Sequence, residues 1–147
     1  MIHRYAAFKA AISSIYKSIQ KIERQEMEHF GLKGPHVQCL LAVYAHPEGI
    51  AAARLCELCD RDKASISRSL TELEHQGLLN REPGYRASLH LTERGCTVAE
   101  QIRQRADRAV QAVSLAFGDE DRRAFYEDLD EIAARLQNIC EEGVSQQ

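Results

Sequence analysis

The sequence contains no tryptophan, three prolines and eight glycines in 147 residues, and aromatic residues make up 6% of it. No internal repeat or low-complexity segment appears. No apolar run approaches the roughly 18 to 20 residues that a membrane-spanning helix requires. The first residues, Met1-Ile2-His3-Arg4-Tyr5, lead into polar-interrupted periodic sequence and not into the apolar core of a secretory signal. A cytoplasmic protein with no membrane association is therefore expected. The five cysteines (39, 56, 59, 96 and 140) are odd in number and irregular in spacing, a poor disulfide framework that suits a reducing compartment. Catalytic signatures are missing too: there is no phosphate-cradling glycine-rich loop, no nucleophile elbow and no HExxH. An enzyme is not expected. Cys56-x-x-Cys59 is a single pair where a structural zinc site needs four ligands, so neither a metal nor a cofactor is expected.

What is present is ordinary for a globular chain: 44% hydrophobic and 28% charged residues, which excludes disorder as the main state. At this length the chain can bury roughly two-thirds of its unfolded surface. The net charge of −3 is unevenly spread. Residues 1–118 carry 16 Lys and Arg against 13 Asp and Glu, whereas residues 119–147 carry 3 against 9. A mildly basic body with an acidic end does not exclude a phosphate-bearing partner, because binding depends on the local patch.

Tyr5, Phe8, Ile12, Ile15, Ile19 and Ile22 recur at steps of 3, 4, 3, 4 and 3, the narrow seam of a helix that meets a partner helix. Gly31 and Gly34-Pro35 stop it. A second helix is predicted from His36 to Ala45, with Val37, Leu40, Leu41 and Tyr44 inward. A short helix follows over Ala51–Cys59, with Leu55 and Leu58 inward. After the polar connector Asp60-Arg61-Asp62-Lys63, another helix runs from Ala64 to Gln76 and ends at Gly77. Leu78–Glu82 reads as extended, Pro83-Gly84 as a type II turn, and Arg86–Leu91 alternates with Ala87, Leu89 and Leu91 on one face. Thr92 caps a long helix to about Ala116, lined by Val98, Ile102, Ala106, Ala109 and Val113. Gly118-Asp119 starts a last helix with a second seam: Phe125, Leu129, Ile132, Leu136 and Ile139.

Three helices followed by a hairpin make a winged helix-turn-helix. The fold class is thus mainly α with a minor β part, flanked by N- and C-terminal dimerisation helices. The expected division is 1–34 for the first dimerisation helix, 35–92 for the DNA-binding domain and 93–147 for the long and last helices. Each large side chain in the two seams gains about 1.5–3 kcal/mol on full burial, so open seams argue for a second copy. The alternative is that both helices pack on the long helix of their own chain.

In the helix from Ala64, Ile66, Leu70 and Leu73 fall on the core side. Ala64, Arg68, Thr71 and His75 project outward, with Ser65 and Glu72 beside them. Small and hydrogen-bonding residues on that outer face let a helix lie close to base edges. Arg68 can pair with a guanine edge or hold a phosphate, and Ser65 and Ser67 can donate to phosphate near the helix N-terminus. Arg81 and Arg86 flank the hairpin turn, where cations reach the backbone or the minor groove, or simply keep an exposed edge soluble.

The run Leu55-Cys56-Glu57-Leu58-Cys59-Asp60-Arg61-Asp62-Lys63-Ala64-Ser65-Ile66-Ser67-Arg68-Ser69-Leu70-Thr71-Glu72-Leu73-Glu74-His75-Gln76-Gly77-Leu78-Leu79 resembles the MarR family of bacterial winged-helix regulators. Leu89-His90-Leu91-Thr92-Glu93-Arg94-Gly95 resembles the start of that family's long fifth helix. The resemblance spans essentially the whole chain. It implies a homodimer with intertwined end helices that binds double-stranded DNA and regulates transcription, with repression expected. The matching positions are Ser65, Ser67, Arg68 and Thr71 on the recognition helix and Arg86 in the wing. Gly84 stands where the family's longer wings carry an acidic residue. The expected DNA surface is Lys63, Ser65, Ser67, Arg68, Thr71, Arg81 and Arg86. The resemblance also implies a small-molecule effector, for which Tyr16, His29, His36 and Tyr44 are candidate cleft residues. The family's redox branch places its reactive cysteine in the first helix, which has none here, and its zinc branch uses histidines on the long helix, absent between Thr92 and Gly118. Two other readings remain at this point: a winged protein–protein adaptor that does not bind DNA, and a regulator that responds to oxidation through one of its cysteines.

Overall fold

A computed structural model describes residues 4–82 and 88–143. The elements run α1 (Arg4–Glu28), α2 (Gly34–Tyr44), α3 (Ala52–Cys59), α4 (Lys63–His75), β1 (Leu79–Arg81), β2 (Leu89–Leu91), α5 (Glu93–Ser114) and α6 (Asp119–Glu142). They form two compact units, Met1–Asp107 and Arg108–Gln147.

The first unit holds the core. Val37, Cys39, Leu40 and Val43 of α2, Leu55 of α3, and Ile66, Leu70 and Leu73 of α4 are all buried. Met27, Leu32, Leu78, Leu89, Val98 and Ile102 close the cluster from α1, the hairpin and α5. α2 is apolar around most of its circumference, which is what a helix packed on several neighbours requires. It touches α1, α3, α4 and β2. The expected inward set for α2 therefore needs amendment. Leu41 and Tyr44 are half-buried, while Cys39 and Val43 lie fully inside.

Turn chemistry sets the helix-turn-helix. α3 ends at Asp60, whose φ of 49° places it in the left-handed region that a short polar side chain tolerates. The Arg61 N–H donates to the Cys56 carbonyl at 3.0 Å, closing the α3 terminus. Asp62 then caps α4, its carboxylate accepting from the Ser65 amide at 2.7 Å. Leu58, expected inward, is exposed (45%), because on this two-turn helix Leu55 is the residue that reaches the core.

β1 and β2 pair antiparallel, with Leu79 opposite Leu91, Asn80 opposite His90 and Arg81 opposite Leu89. Ile50 adds an isolated antiparallel bridge to Leu89, a third strand position not foreseen in the sequence. The expected Pro83-Gly84 turn lies outside the described residues. Thr92 caps α5 as expected: its hydroxyl accepts from the Gly95 amide at 3.0 Å and donates to the Gly77 carbonyl at 2.6 Å. Gly95 packs on the hairpin's base so tightly that a Cβ there would stand 2.0 Å from the Leu78 carbonyl oxygen.

Both seams lie open. On α1, Tyr5, Phe8, Ile12 and Ile15 are exposed, and on α6 no residue is buried. In the second unit Phe117 stacks on Phe125, with ring centroids 6.3 Å apart. Val113, assigned by its period to the apolar line of α5, is also exposed.

Candidate nucleic-acid interface

The outward face of α4 follows from its inward one. Ile66, Leu70 and Leu73 anchor the helix in the core, so Lys63, Ala64, Ser67, Arg68 and Thr71 are turned to solvent. Ser65 is half-buried beside the cap. Ser69, on the inner side, is the one buried polar side chain among the described residues. The Thr71 hydroxyl donates to the Ser67 carbonyl at 2.9 Å, which holds its rotamer and leaves oxygen lone pairs to accept.

The charges on α4 are sorted by where they are spent. Among the described residues neither Lys63 nor Arg68 takes part in an ion pair. The two acidic residues of the helix are engaged elsewhere. Glu72 accepts from Gln76 Nε2 at 2.7 Å, and Glu74 pairs with Arg81 of β1. The N-terminal half of α4 thus presents two uncommitted cations among hydroxyls and a methyl group, with no carboxylate of its own on that half. The Asp62 carboxylate, read from the sequence only as part of a polar connector, occupies the Ser65 amide at the tip. A phosphate near that tip would meet the hydroxyls of Ser65 and Ser67 and not the amides of Ser65 and Ile66, which the Asp62 carboxylate and carbonyl already occupy.

The remaining expected residues divide. Arg81 sits on β1 with its Nε donating to Glu74, so one edge of its guanidinium ties the hairpin to α4, and among the described residues its other donors make no hydrogen bond. Arg86 lies outside the described residues. One cation was not singled out in the sequence: Arg61, exposed on the α3–α4 turn, whose Nε donates to Gln38 Oε1 at 3.2 Å. Its position in a helix-turn-helix turn, adjoining α4, is the signal that marks it.

The first unit is clamped on its other side. The Tyr44 hydroxyl of α2 donates to Glu100 of α5, and Arg103 Nη2 donates to the same carboxylate at 2.8 Å. Hydrogen bonds from Arg103, Tyr44 and Gln104 hold the Glu100 carboxyl at about 2, well below the usual carboxylate range, while the hydrogen bond to Glu100 raises the Tyr44 hydroxyl. Tyr44 is therefore committed to structure. A cavity of about 90 Å³ lies between α1 and α2, lined by Gln20, Glu23, Arg24, Gly34, Pro35, Val37, Gln38 and Arg61. None of Tyr16, His29, His36 and Tyr44 lines it. No group of three or more His, Cys, Asp or Glu among the described residues is placed to hold a metal ion. No described helix is long and apolar enough to cross a membrane.

Comparison with other proteins agrees with this architecture. The sequence profile of the MarR family matches residues 30–86, which run from the α1–α2 turn into the hairpin. A search of curated protein sequences returns no match. The crystal structure of MarR is similar over 91% of this chain and 93% of its own, at 27% identity and a TM-score of 0.79. A MarR transcriptional regulator from Methanosarcina mazei Go1 superposes with a TM-score of 0.81 at 21% identity, covering 95% of this chain and 94% of that one. MepR, a transcription regulator of the Staphylococcus aureus multidrug efflux pump MepA, gives 0.67 at 20% identity, over 88% and 98% of the two chains. The helix-turn-helix block is thus similar in sequence to the MarR family, and the whole length shares the winged-helix fold of MarR-family structures.

Proposed function

We propose that this protein is a DNA-binding transcriptional repressor that acts as a homodimer on a pseudo-palindromic operator. One observation carries the reading. The recognition helix buries every large apolar side chain it has and turns Lys63, Ser67, Arg68 and Thr71, uncompensated by its own carboxylates, to solvent. In this reading Arg68 and Thr71 read base edges, Lys63, Ser65 and Ser67 hold the phosphates beside the helix tip, and Arg81 and Arg86 extend the surface into the wing. Residues 35–92 form the DNA-binding part. Residues 1–34 and 93–147 supply the dimer contacts, in keeping with the exposed seams of α1 and α6. Two-fold symmetry then sets the half-sites about one helical turn apart. A small-molecule effector that releases the repressor belongs to the same reading, as the link between MepR and an efflux pump suggests by analogy.

The test is titration of a labelled random-sequence duplex at several salt concentrations. A steep fall of log K with log salt, by about 0.9 for each phosphate neutralised, is expected. No binding at low salt would leave the winged scaffold as a protein–protein adaptor.

A further inference from the structure

The cavity between α1 and α2 is bounded on a third side by the α3–α4 turn, which contributes Arg61. All of its walls belong to the first unit. Apart from Gly34, Pro35 and Val37 its lining is polar, and it includes three charged side chains: Glu23 and Arg24 of α1, and Arg61. Among the described residues none of the three takes part in an ion pair. Neither the DNA surface nor the seams of α1 and α6 use Glu23 or Arg24. We propose that this cavity binds a small α-amino acid as its zwitterion, with the carboxylate held by Arg24 and Arg61 and the ammonium by Glu23.

Packing places the two cations. Gly34 has no side chain, and the stem of Arg24 lies across the space that a Cβ would take, with Cδ 2.7 Å and Nη1 3.8 Å from that position. The Arg24 guanidinium is thereby laid against the first turn of α2. On the far wall Arg61 Nε donates to Gln38 Oε1 at 3.2 Å, which ties the second guanidinium to the same helix. Among the described residues the Nη groups of both arginines make no hydrogen bond, so their donors are available to a carboxylate. Glu23 supplies the opposite sign. It is half-buried, and burial raises its carboxyl because no ion pair offsets the lost hydration. An ammonium group against it restores that attraction.

Charge and size then select the ligand. A lone anion would meet the Glu23 carboxylate, and a lone cation would meet two guanidinium groups. A molecule with both charges a few bonds apart satisfies all three side chains. The volume of about 90 Å³ is below the roughly 150 Å³ that a benzene ring fills and close to that of about three waters. An aromatic ring is therefore too large, whereas a molecule the size of glycine fits, its methylene against Pro35 and Val37.

The test needs no DNA. The isotope-labelled full chain is titrated by NMR near neutral pH and at constant ionic strength with glycine, acetate and methylamine, the last two each lacking one of glycine's charges. Glycine should shift the backbone amides of Gly34, Val37 and Gln38 along a saturating curve, in the millimolar range that so small a ligand reaches. Acetate and methylamine should bind about tenfold more weakly or worse. E23Q should weaken glycine by about tenfold while acetate binds at least as well as to the unaltered chain, a reversal that mere damage to the fold would not produce. R24Q should weaken glycine and acetate together. Acetate or methylamine binding as tightly as glycine would overturn the zwitterion site, leaving a plain anion or cation site. Shifts that do not saturate, or a glycine affinity that E23Q or R24Q leaves unchanged, would overturn it as well.

Discussion

Truncating Ile15 to alanine should weaken self-association while leaving the fold of each chain nearly untouched. Ile15 is 54% exposed in the single chain. Full burial of such a side chain is worth about 1.5–3 kcal/mol, so its open half accounts for about 1 kcal/mol when a partner covers it. A two-fold interface contains the residue twice, which makes about 2 kcal/mol per dimer, or roughly a 30-fold rise in the dimer dissociation constant. Leu40→Ala should behave in the opposite way. Leu40 is 0% exposed at the centre of α2, and its truncation should cost the fold about 2–5 kcal/mol. Sedimentation equilibrium over a dilution series reads the first quantity and denaturant unfolding the second. An unchanged dissociation constant for Ile15→Ala would remove α1 from the interface. A wild-type chain that sediments as one copy at micromolar concentration would refute the reasoning altogether.

Arg68→Ala should cost about 1–3 kcal/mol on a selected operator and much less on random duplex, because a base-edge contact is lost only where the right base stands. Equal losses in competitive titrations would make Arg68 a phosphate contact. Gly95→Ala should destabilise the first unit by about 1–3 kcal/mol in denaturant unfolding despite alanine's better helix propensity. Its Cβ would meet the Leu78 carbonyl oxygen at 2.0 Å, and a stabilised variant would contradict that packing. The Glu100 clamp fixes an acid limb. Because its folded value lies near 2 and its ordinary value near 4.5, it contributes stability above pH 4.5 that is lost as pH falls towards 2. Arg103→Gln should flatten that part of the stability–pH profile, and a superimposable profile would show that the clamp does not bind the carboxylate preferentially in the folded state.

The two faces of α4 were readable because its geometry is local. Ile66, Leu70 and Leu73 repeat at helical spacing, and once they face inward the outward positions of Lys63, Arg68 and Thr71 follow. The open seams of α1 and α6 were readable for the same reason. What failed or was missed depends on neighbours that periodicity does not encode. Leu58 has the right spacing from Leu55, but α3 is too short to bury both. Ser69 reads as one more polar residue of a serine-rich helix, yet it is buried on the inner side of α4. The bridge of Ile50 to Leu89 involves a single residue with no alternation to announce it. The spending of Arg81 on Glu74 also joins elements that meet only in the folded chain.

The central claim is that two copies hold two recognition helices at groove spacing, and selection of bound sequences from a random duplex pool tests it most directly. The account predicts enrichment of an inverted repeat whose half-sites are centred about one helical turn apart, lost when Arg68 is replaced by alanine. An enriched sequence without a repeat, or a pool that emerges unchanged, would contradict it.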